Sequence, residues 1–183
     1  MGKSTVAQCW MGLGAAVVDT DDLARTVLQP NSEALEELTQ VCGIAVVDEV
    51  GELNRKFLAD LIFEDNALRE QVHRVVHPRV CLLWQGIVAD WRKSGVRTGV
   101  VVIPLLYETQ SESQFDSVIV VSTSQATQRK RVFQRGWSQH EYERRSRAQI
   151  APEEKVRRAD LILWNEASRE ILLEQIVCIN STQ

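Results

Sequence analysis

The sequence has no long apolar run and only four cysteines. No stretch reaches the ~18 consecutive apolar residues that a membrane span needs, and the N-terminus lacks the apolar segment of a signal peptide. No two cysteines form a C-x-x-C pair, and none has a metal-ligand spacing to a histidine. We therefore expect a cytoplasmic protein with buried, reduced thiols and no membrane partner.

The sequence also lacks an excess of positive charge, since its formal net charge is −4. This balance argues against general nucleic-acid binding. The cations are nevertheless unevenly spread, because ten of the 21 Lys and Arg residues lie between Arg129 and Arg158. Such crowding indicates either a surface that faces anions or a solvated helix face.

Strands and helices alternate along the 183 residues, a length that fits one domain. Short apolar runs at 15–18, 100–103, 118–121 and 161–163 are typical of buried parallel strands. Helical patterns are expected at 4–11, 21–28, 32–42, 55–63, 67–76, 79–93, 124–135 and 168–177, with another that begins near 138. His77-Pro78 is expected to interrupt the long middle segment. The alternation predicts a parallel sheet in an α/β fold.

The first residues carry the end of a phosphate-binding motif. Gly2-Lys3-Ser4-Thr5 matches the last part of the Walker A pattern G-x-x-x-x-G-K-[ST]. In that loop, backbone N–H groups surround the phosphates, the lysine reaches the β- and γ-phosphates, and the Ser/Thr hydroxyl binds Mg²⁺. The first glycine of the pattern and its preceding strand are absent from this sequence.

Three carboxylates follow the first predicted strand, at Asp19, Asp21 and Asp22. Ligands of open α/β sheets bind at the carboxyl ends of the strands. A carboxylate there can accept the proton of an attacking hydroxyl or help to hold Mg²⁺. The alternative is that Asp21 or Asp22 only caps the next helix, and for Asp22 we prefer it.

At this point the sequence resembles the dephospho-CoA kinase family. V-V-D-T-D-D-L-A-R at 17–25 resembles the family stretch (V/I)-I-D-A-D-x-(I/L)-A-R. Further family-like segments then follow in order: V-H-P at 76–78, I-P-L-L-Y-E at 103–108, Q-R-K-R-V-F-Q-R at 128–135, Q-I-A-P-E-E-K at 149–155 and A-D-L-I-L-W-N at 159–165. The resemblance covers the chain from Gly2 to about Ile176.

The resemblance implies transfer of a phosphoryl group from ATP, with Mg²⁺, to the ribose 3′-hydroxyl of dephospho-CoA. It implies roles for residues at matching positions. Lys3, Asp19, Asp21 and Arg131 are expected to be catalytic. Gly2, Lys3, Ser4, Thr5, Arg135 and Asn165 are expected to bind the nucleotide, with Ser4 also on the metal. Arg25, His77 and Glu108 are expected to bind the acceptor. For His77, a purely structural helix break is an equal alternative.

The resemblance also implies a P-loop kinase three-layer sandwich with a parallel sheet, a helical substrate-binding lobe and a helical lid. We expect a core at 1–30, 96–128 and 159–183, a CoA-binding lobe at about 31–95, and a lid at about 129–158. We expect the sequence to be N-terminally shortened, so that the first central strand is missing. The protein is expected to be a monomer or weak oligomer.

Two other functions remain open at this stage. One is an inactive remnant that binds CoA or a partner but lacks a complete ATP site. The other is a P-loop kinase of another small hydroxyl substrate.

Overall fold

A computed structural model describes residues 1–147 and 149–182, without the side chains of residues 147, 181 and 182. The chain forms two compact units, which are considered separately. Unit 1 contains residues 1–17 and the described residues from 102 onward, and unit 2 contains residues 18–101. Unit 2 is therefore one continuous segment, whereas unit 1 is assembled from two.

Unit 1 contains two strands and five helices among its described residues. The strands are β3 (Ile119–Ser122) and β4 (Leu161–Trp164), which pair in parallel with Ile119 opposite Leu161. The helices are α1 (Lys3–Gly12), α6 (Gln125–Gln134), α7 (Gln139–Arg147), α8 (Pro152–Arg158) and α9 (Arg169–Thr182). Helix α9 packs on β4 and on α1, which joins the two segments of the unit. Leu163, Leu172 and Ile176 are almost completely buried in this packing.

Unit 2 is mainly helical. Its helices are α2 (Thr20–Val27), α3 (Glu33–Cys42), α4 (Arg55–Glu64) and α5 (Asn66–Lys93), and α5 packs against the other three. They enclose a hydrophobic core made of Leu28, Ala34, Leu35, Leu38, Val46, Leu58, Val72 and Val75. The remaining strands, β1 (Ala16–Asp19) and β2 (Gly99–Val102), form a second two-stranded sheet, and the chain passes between the units within them.

The helix ends follow the local sequence signals closely. Ser32, Asn54 and Ser124 each accept a hydrogen bond from a backbone N–H in the first turn of the following helix. Gly43 ends α3 with φ of 86°, a left-handed value that suits glycine. The Ser138 hydroxyl accepts from the Glu141 N–H near the start of α7, and the Glu141 carboxylate pairs with Arg145. The expectation of buried thiols is wrong for Cys178, which is exposed.

The predicted break at His77-Pro78 is wrong. Helix α5 runs through Pro78 for 28 residues. Proline removes one backbone donor and crowds the preceding turn. Arg79, next in sequence, donates from its guanidinium to the Val75 carbonyl oxygen at 2.7 Å and forms an ion pair with Glu37 of α3. Packing along α5 and these side-chain bonds therefore outweigh the local preference of proline.

Candidate functional site

The start of α1 in unit 1 is an open helix N-terminus. Gly2 is its N-cap with φ of 99°, and no side chain caps the helix. A Cβ added at Gly2 would lie 2.0 Å from the side-chain nitrogen of Asn165, so only glycine fits here. Lys3, Ser4 and Thr5 form the first turn, whose N–H groups and dipole favour an anion. The local geometry is that expected for the end of a phosphate-binding loop.

Three cations share the space beside this helix start. The pKa of the Met1 α-amino group is lowered to about 6, first by burial and then by nearby positive charges. Those charges belong to Lys3, Arg135 and Arg131, in decreasing order of effect. Arg131 lies in the last turn of α6 and Arg135 is its C-cap, four residues further along the chain. Unit 1 thus brings together the lysine and both arginines that the sequence predicted to bind phosphate.

Asn165 links the end of β4 to this cluster. Its side-chain amide donates to the Met1 carbonyl oxygen at 2.9 Å, and its backbone N–H donates to the Ser122 carbonyl oxygen at 2.8 Å. Its own carbonyl oxygen accepts from the Arg131 guanidinium at 2.9 Å. Asn165 is buried. It therefore holds the start of the chain, β3 and α6 in one arrangement.

Glu166 is a residue that the sequence predictions missed. Its carboxylate accepts from the Thr123 hydroxyl at 2.6 Å, from the Ser124 N–H at 2.8 Å, and from the hydroxyls of Ser124 and Thr127. These hydrogen bonds, led by those from Thr123 and Thr127, lower the pKa of Glu166 to about 2. The local signal was an acidic residue just after a strand, but its partners lie about forty residues earlier, with separations of 39–43.

A cavity of about 550 Å³ opens within unit 1 beside these residues. Most of its exposed wall is apolar, and several hydroxyl and amide side chains, two aromatic rings and the buried Lys155 also line it. The lining residues are Met1, Ser122, Thr123, Ser124, Gln125, Gln128, Tyr142, Ser146, Gln149, Ile150, Pro152, Glu153, Lys155, Val156 and Trp164. Its volume is in the range of small-molecule sites, and its wall suits a polar, partly aromatic ligand.

Glu108 lies in unit 1 and pairs with a residue of the cavity wall. Its carboxylate accepts from the Lys155 ammonium at 2.7 Å and from the Ile150 N–H at 3.0 Å. Burial raises the pKa of Glu108, but these bonds and the Lys155 charge outweigh burial, so the net pKa is below its ordinary value. The other carboxylate oxygen is buried without a hydrogen-bond partner among the described residues.

The remaining predicted residues lie in unit 2. Asp19 caps α2, because its carboxylate accepts from the Asp21 N–H at 2.9 Å. The capping alternative for Asp21 or Asp22 is therefore wrong: Asp21 lies in the first turn, and Asp22 forms an exposed ion pair with Arg25 at 3.2 Å. His77 lies in the middle of α5 and stacks on the His73 ring at 4.5 Å between centroids. Burial, and then the His73 charge, lower the pKa of His77.

Comparison with known proteins gives consistent matches over most of the chain. The family model described as dephospho-CoA kinase matches residues 1–170. The dephospho-CoA kinase of Syntrophotalea carbinolica is 36% identical, over 97% of this chain and 85% of its own length. The corresponding protein of Geobacter sulfurreducens is 35% identical, over 96% of this chain and 89% of its own length.

Solved structures agree with these matches. A crystal structure of a Thermus thermophilus protein superposes with a TM-score of 0.83 at 32% identity, covering 99% of this chain and 91% of that one. The dephospho-CoA kinase from Campylobacter jejuni superposes with a TM-score of 0.72 at 25% identity, covering 98% of this chain and 90% of that one. The α/β class predicted from the sequence is confirmed.

Proposed function

From the premise that the chain belongs to the dephospho-CoA kinase family, we propose which residues carry out its reaction. That reaction is the ATP-dependent phosphorylation of dephospho-CoA to CoA, which completes coenzyme A biosynthesis. The 3′-hydroxyl oxygen of the ribose attacks the γ-phosphorus, the bond to the β-phosphate oxygen breaks, and ADP leaves. Catalysis of this kind depends mainly on positioning and on neutralising phosphate charge.

The cation cluster of unit 1 is proposed to hold the transferring phosphates. The single observation that carries this proposal is that the charges of Lys3, Arg131 and Arg135 all act on the Met1 α-amino group, at the uncapped start of α1. Gly2 and Thr5 contribute backbone N–H groups and a hydroxyl at the same helix start. Arginine suits this task because its planar fork pairs with phosphate oxygens.

Mg²⁺ is proposed to accompany ATP. Among the described residues there is no group of three or more His, Cys, Asp or Glu side chains that fits a metal. Mg²⁺ is usually bound by substrate phosphates, water and one or two protein oxygens. Ser4 is exposed in the first turn of α1, so its hydroxyl is available as that protein ligand. The ion would neutralise charge on the phosphates.

The acceptor is proposed to be activated by unit 2. Asp21 is the proposed base that receives the proton of the 3′-hydroxyl, and Asp19 supports it by fixing the first turn of α2. Arg25 and His77 are proposed to bind dephospho-CoA, as is Glu108 of unit 1. Asn165 is proposed to lie near the adenine of ATP, which the cavity lined by the neighbouring Trp164 supports.

The finer organisation belongs to the same proposal. It comprises the three-layer sandwich and the sequence boundaries of core, CoA-binding lobe and lid. A cytoplasmic location, a monomeric or weakly oligomeric state, and the absence of nucleic-acid and membrane partners also stay predictions. No helix in the described part of the chain is long and apolar enough to cross a membrane.

The direct test is phosphoryl transfer by the purified protein. CoA should form from dephospho-CoA and ATP, stop when EDTA removes the metal, and resume with excess Mg²⁺. A panel of other hydroxyl acceptors should give much less ADP, which separates this function from a kinase of another substrate. Binding of dephospho-CoA without any binding of ATP would instead identify the remnant.

A further inference from the structure

We propose that Glu166 is a positioning residue for phosphoryl transfer, which sets the lid helix α6 so that Arg131 reaches the transferring phosphates. The inference rests on the proposed role of Arg131. Glu166 does not line the cavity, so we assign it no contact with the substrate. Its effect passes through the residues to which it is bonded.

The Glu166 carboxylate joins two loops at the ends of paired strands. It comes just after β4, and it binds Thr123 and Ser124, which come just after β3. Among the described residues its four hydrogen bonds go to these two residues and to Thr127, in the first turn of α6. A carboxylate has about four acceptor positions on its two oxygens. The bonding capacity of this side chain is therefore used entirely on the start of α6.

Asn165, which precedes Glu166 in the chain, binds the next turn of α6. Asn165 accepts from Arg131 through its carbonyl oxygen. Ser124, Thr127 and Arg131 are spaced by three and four residues, so they share one face of α6. Two adjacent residues after β4 thus hold two successive turns of α6. If the hydrogen bonds of Glu166 are lost, the start of α6 can shift, and the Arg131 guanidinium moves with it.

The same bonds fix part of the cavity wall. Thr123 and Ser124 line the cavity, and Thr123 is buried. The low pKa of Glu166 agrees with a carboxylate that its neighbours hold in the charged form. The buried Thr123 hydroxyl would lose its acceptor with Glu166, and a buried polar group without a partner favours a rearranged wall.

The test is a double-mutant cycle between Glu166→Ala and Arg131→Ala, with turnover and ATP affinity as readouts. A misplacement of about 1 Å costs roughly a hundredfold in rate, and we expect a loss of kcat of that order for Glu166→Ala. The KM for dephospho-CoA should stay within about twofold, since the acceptor groups are elsewhere. Arg131→Ala should lose roughly a thousandfold, and adding Glu166→Ala should cost little more.

Conservative and control variants separate positioning from general stability. Glu166→Gln keeps the shape and four bonding positions, and hydroxyl partners can rotate to accept from its amide, so most turnover should return. Glu174→Ala removes another exposed carboxylate, on α9, and should leave turnover unchanged. Full additivity with Arg131→Ala, wild-type kcat in Glu166→Ala, or equal losses in the Gln and Ala variants would overturn the proposal.

Hydrogen exchange tests, without measuring activity, whether Glu166 fixes the start of α6. The amides of Ser124 and the first turn of α6 should exchange faster in Glu166→Ala than in the wild type or in Glu174→Ala. Unchanged exchange there would also overturn the proposal. Failure of the proposed function looks different, because the wild type itself would then form no CoA.

Discussion

Asp19 and Asp21 are two carboxylates at the start of α2 with different surroundings. The Asp19 carboxylate accepts a hydrogen bond from the backbone N–H of Asp21, which fixes the first turn of α2. Asp21 follows inside the helix, where the positive end of the helix dipole favours a charged carboxylate. Asp21 is the residue proposed to accept the proton that the ribose hydroxyl loses. The two residues can therefore be tested separately by mutation.

Asp21→Asn should lose turnover while dephospho-CoA still binds. A general base contributes about 10²–10⁴-fold to rate, so kcat should fall by at least about a hundredfold. Binding of dephospho-CoA, measured by calorimetry, should change little, because the base acts mainly in the transition state. Asp90→Asn is a matched control, since Asp90 forms only an exposed ion pair with Lys93. Near-normal turnover in Asp21→Asn would leave Asp21 only a role at the helix start.

Residues whose roles depend on near neighbours in sequence were predicted best. The start of α4 was predicted at Arg55, where the structure has it, because a helix start depends on residues within one turn. Glu166 was missed because its hydrogen-bond partners lie 39–43 residues away, and nothing in the local pattern indicates them. The bond between Asn165 and Met1 spans nearly the whole chain and was equally invisible.

At the scale of one element, α5 shows tertiary packing overriding a local signal. Its core positions Val72 and Val75 come before Pro78, and its buried positions Val80 and Trp84 follow it. A break would misalign the two buried stretches. The helix therefore retains a residue that is intrinsically unfavourable in its interior.

Pro78→Ala should stabilise the protein. Restoring a backbone donor in mid-helix should raise the free energy of unfolding by about 1–3 kcal/mol, measured by urea titration. Pro152→Ala is the matched control, because Pro152 occupies the first turn of α8, where proline is well tolerated. A destabilised Pro78→Ala variant would show that the native helix needs the proline bend.

The junction between β4 and α6 should be sensitive to acid. The pKa of Glu166 is lowered from 4.5 to about 2 in the folded protein. Its stabilising effect is therefore complete above the unfolded value and is lost as the pH falls towards the folded one. The wild type should lose more stability than Glu166→Gln between neutral pH and about pH 3, and Glu174→Gln should follow the wild type. Parallel curves for the wild type and Glu166→Gln would contradict this expectation.

At the scale of the whole molecule, the hydrophobic core of unit 2 is formed by residues of that unit. All core residues of unit 2, from Leu28 to Val75, lie within the continuous segment 18–101. Its burial needs no residue from elsewhere, and segments of this size can fold alone. How the four strands divide into two pairs was not predicted from the sequence, because strand pairing depends on contacts between distant segments.

A fragment of residues 18–101 should fold alone. It should give a helical circular-dichroism spectrum and a cooperative thermal transition. Leu38 is fully buried, so Leu38→Ala should remove about 2–5 kcal/mol of stability and abolish the transition in the fragment. Leu82→Ala should have little effect, since Leu82 is mostly exposed. A fragment without helical signal would mean that unit 2 depends on the rest of the chain.

The packing of α1 on α9 also sets an order of events during protein synthesis. Chains are made at about 5–20 residues per second, so α1 leaves the ribosome roughly ten to thirty seconds before α9. Throughout that interval Val6, Ala7, Cys9 and Trp10, which are buried in the finished protein, lack the partner that covers them. Unit 2 is complete before α9 exists. During this interval the nascent chain therefore carries an apolar helix that is not yet covered, a condition that favours aggregation.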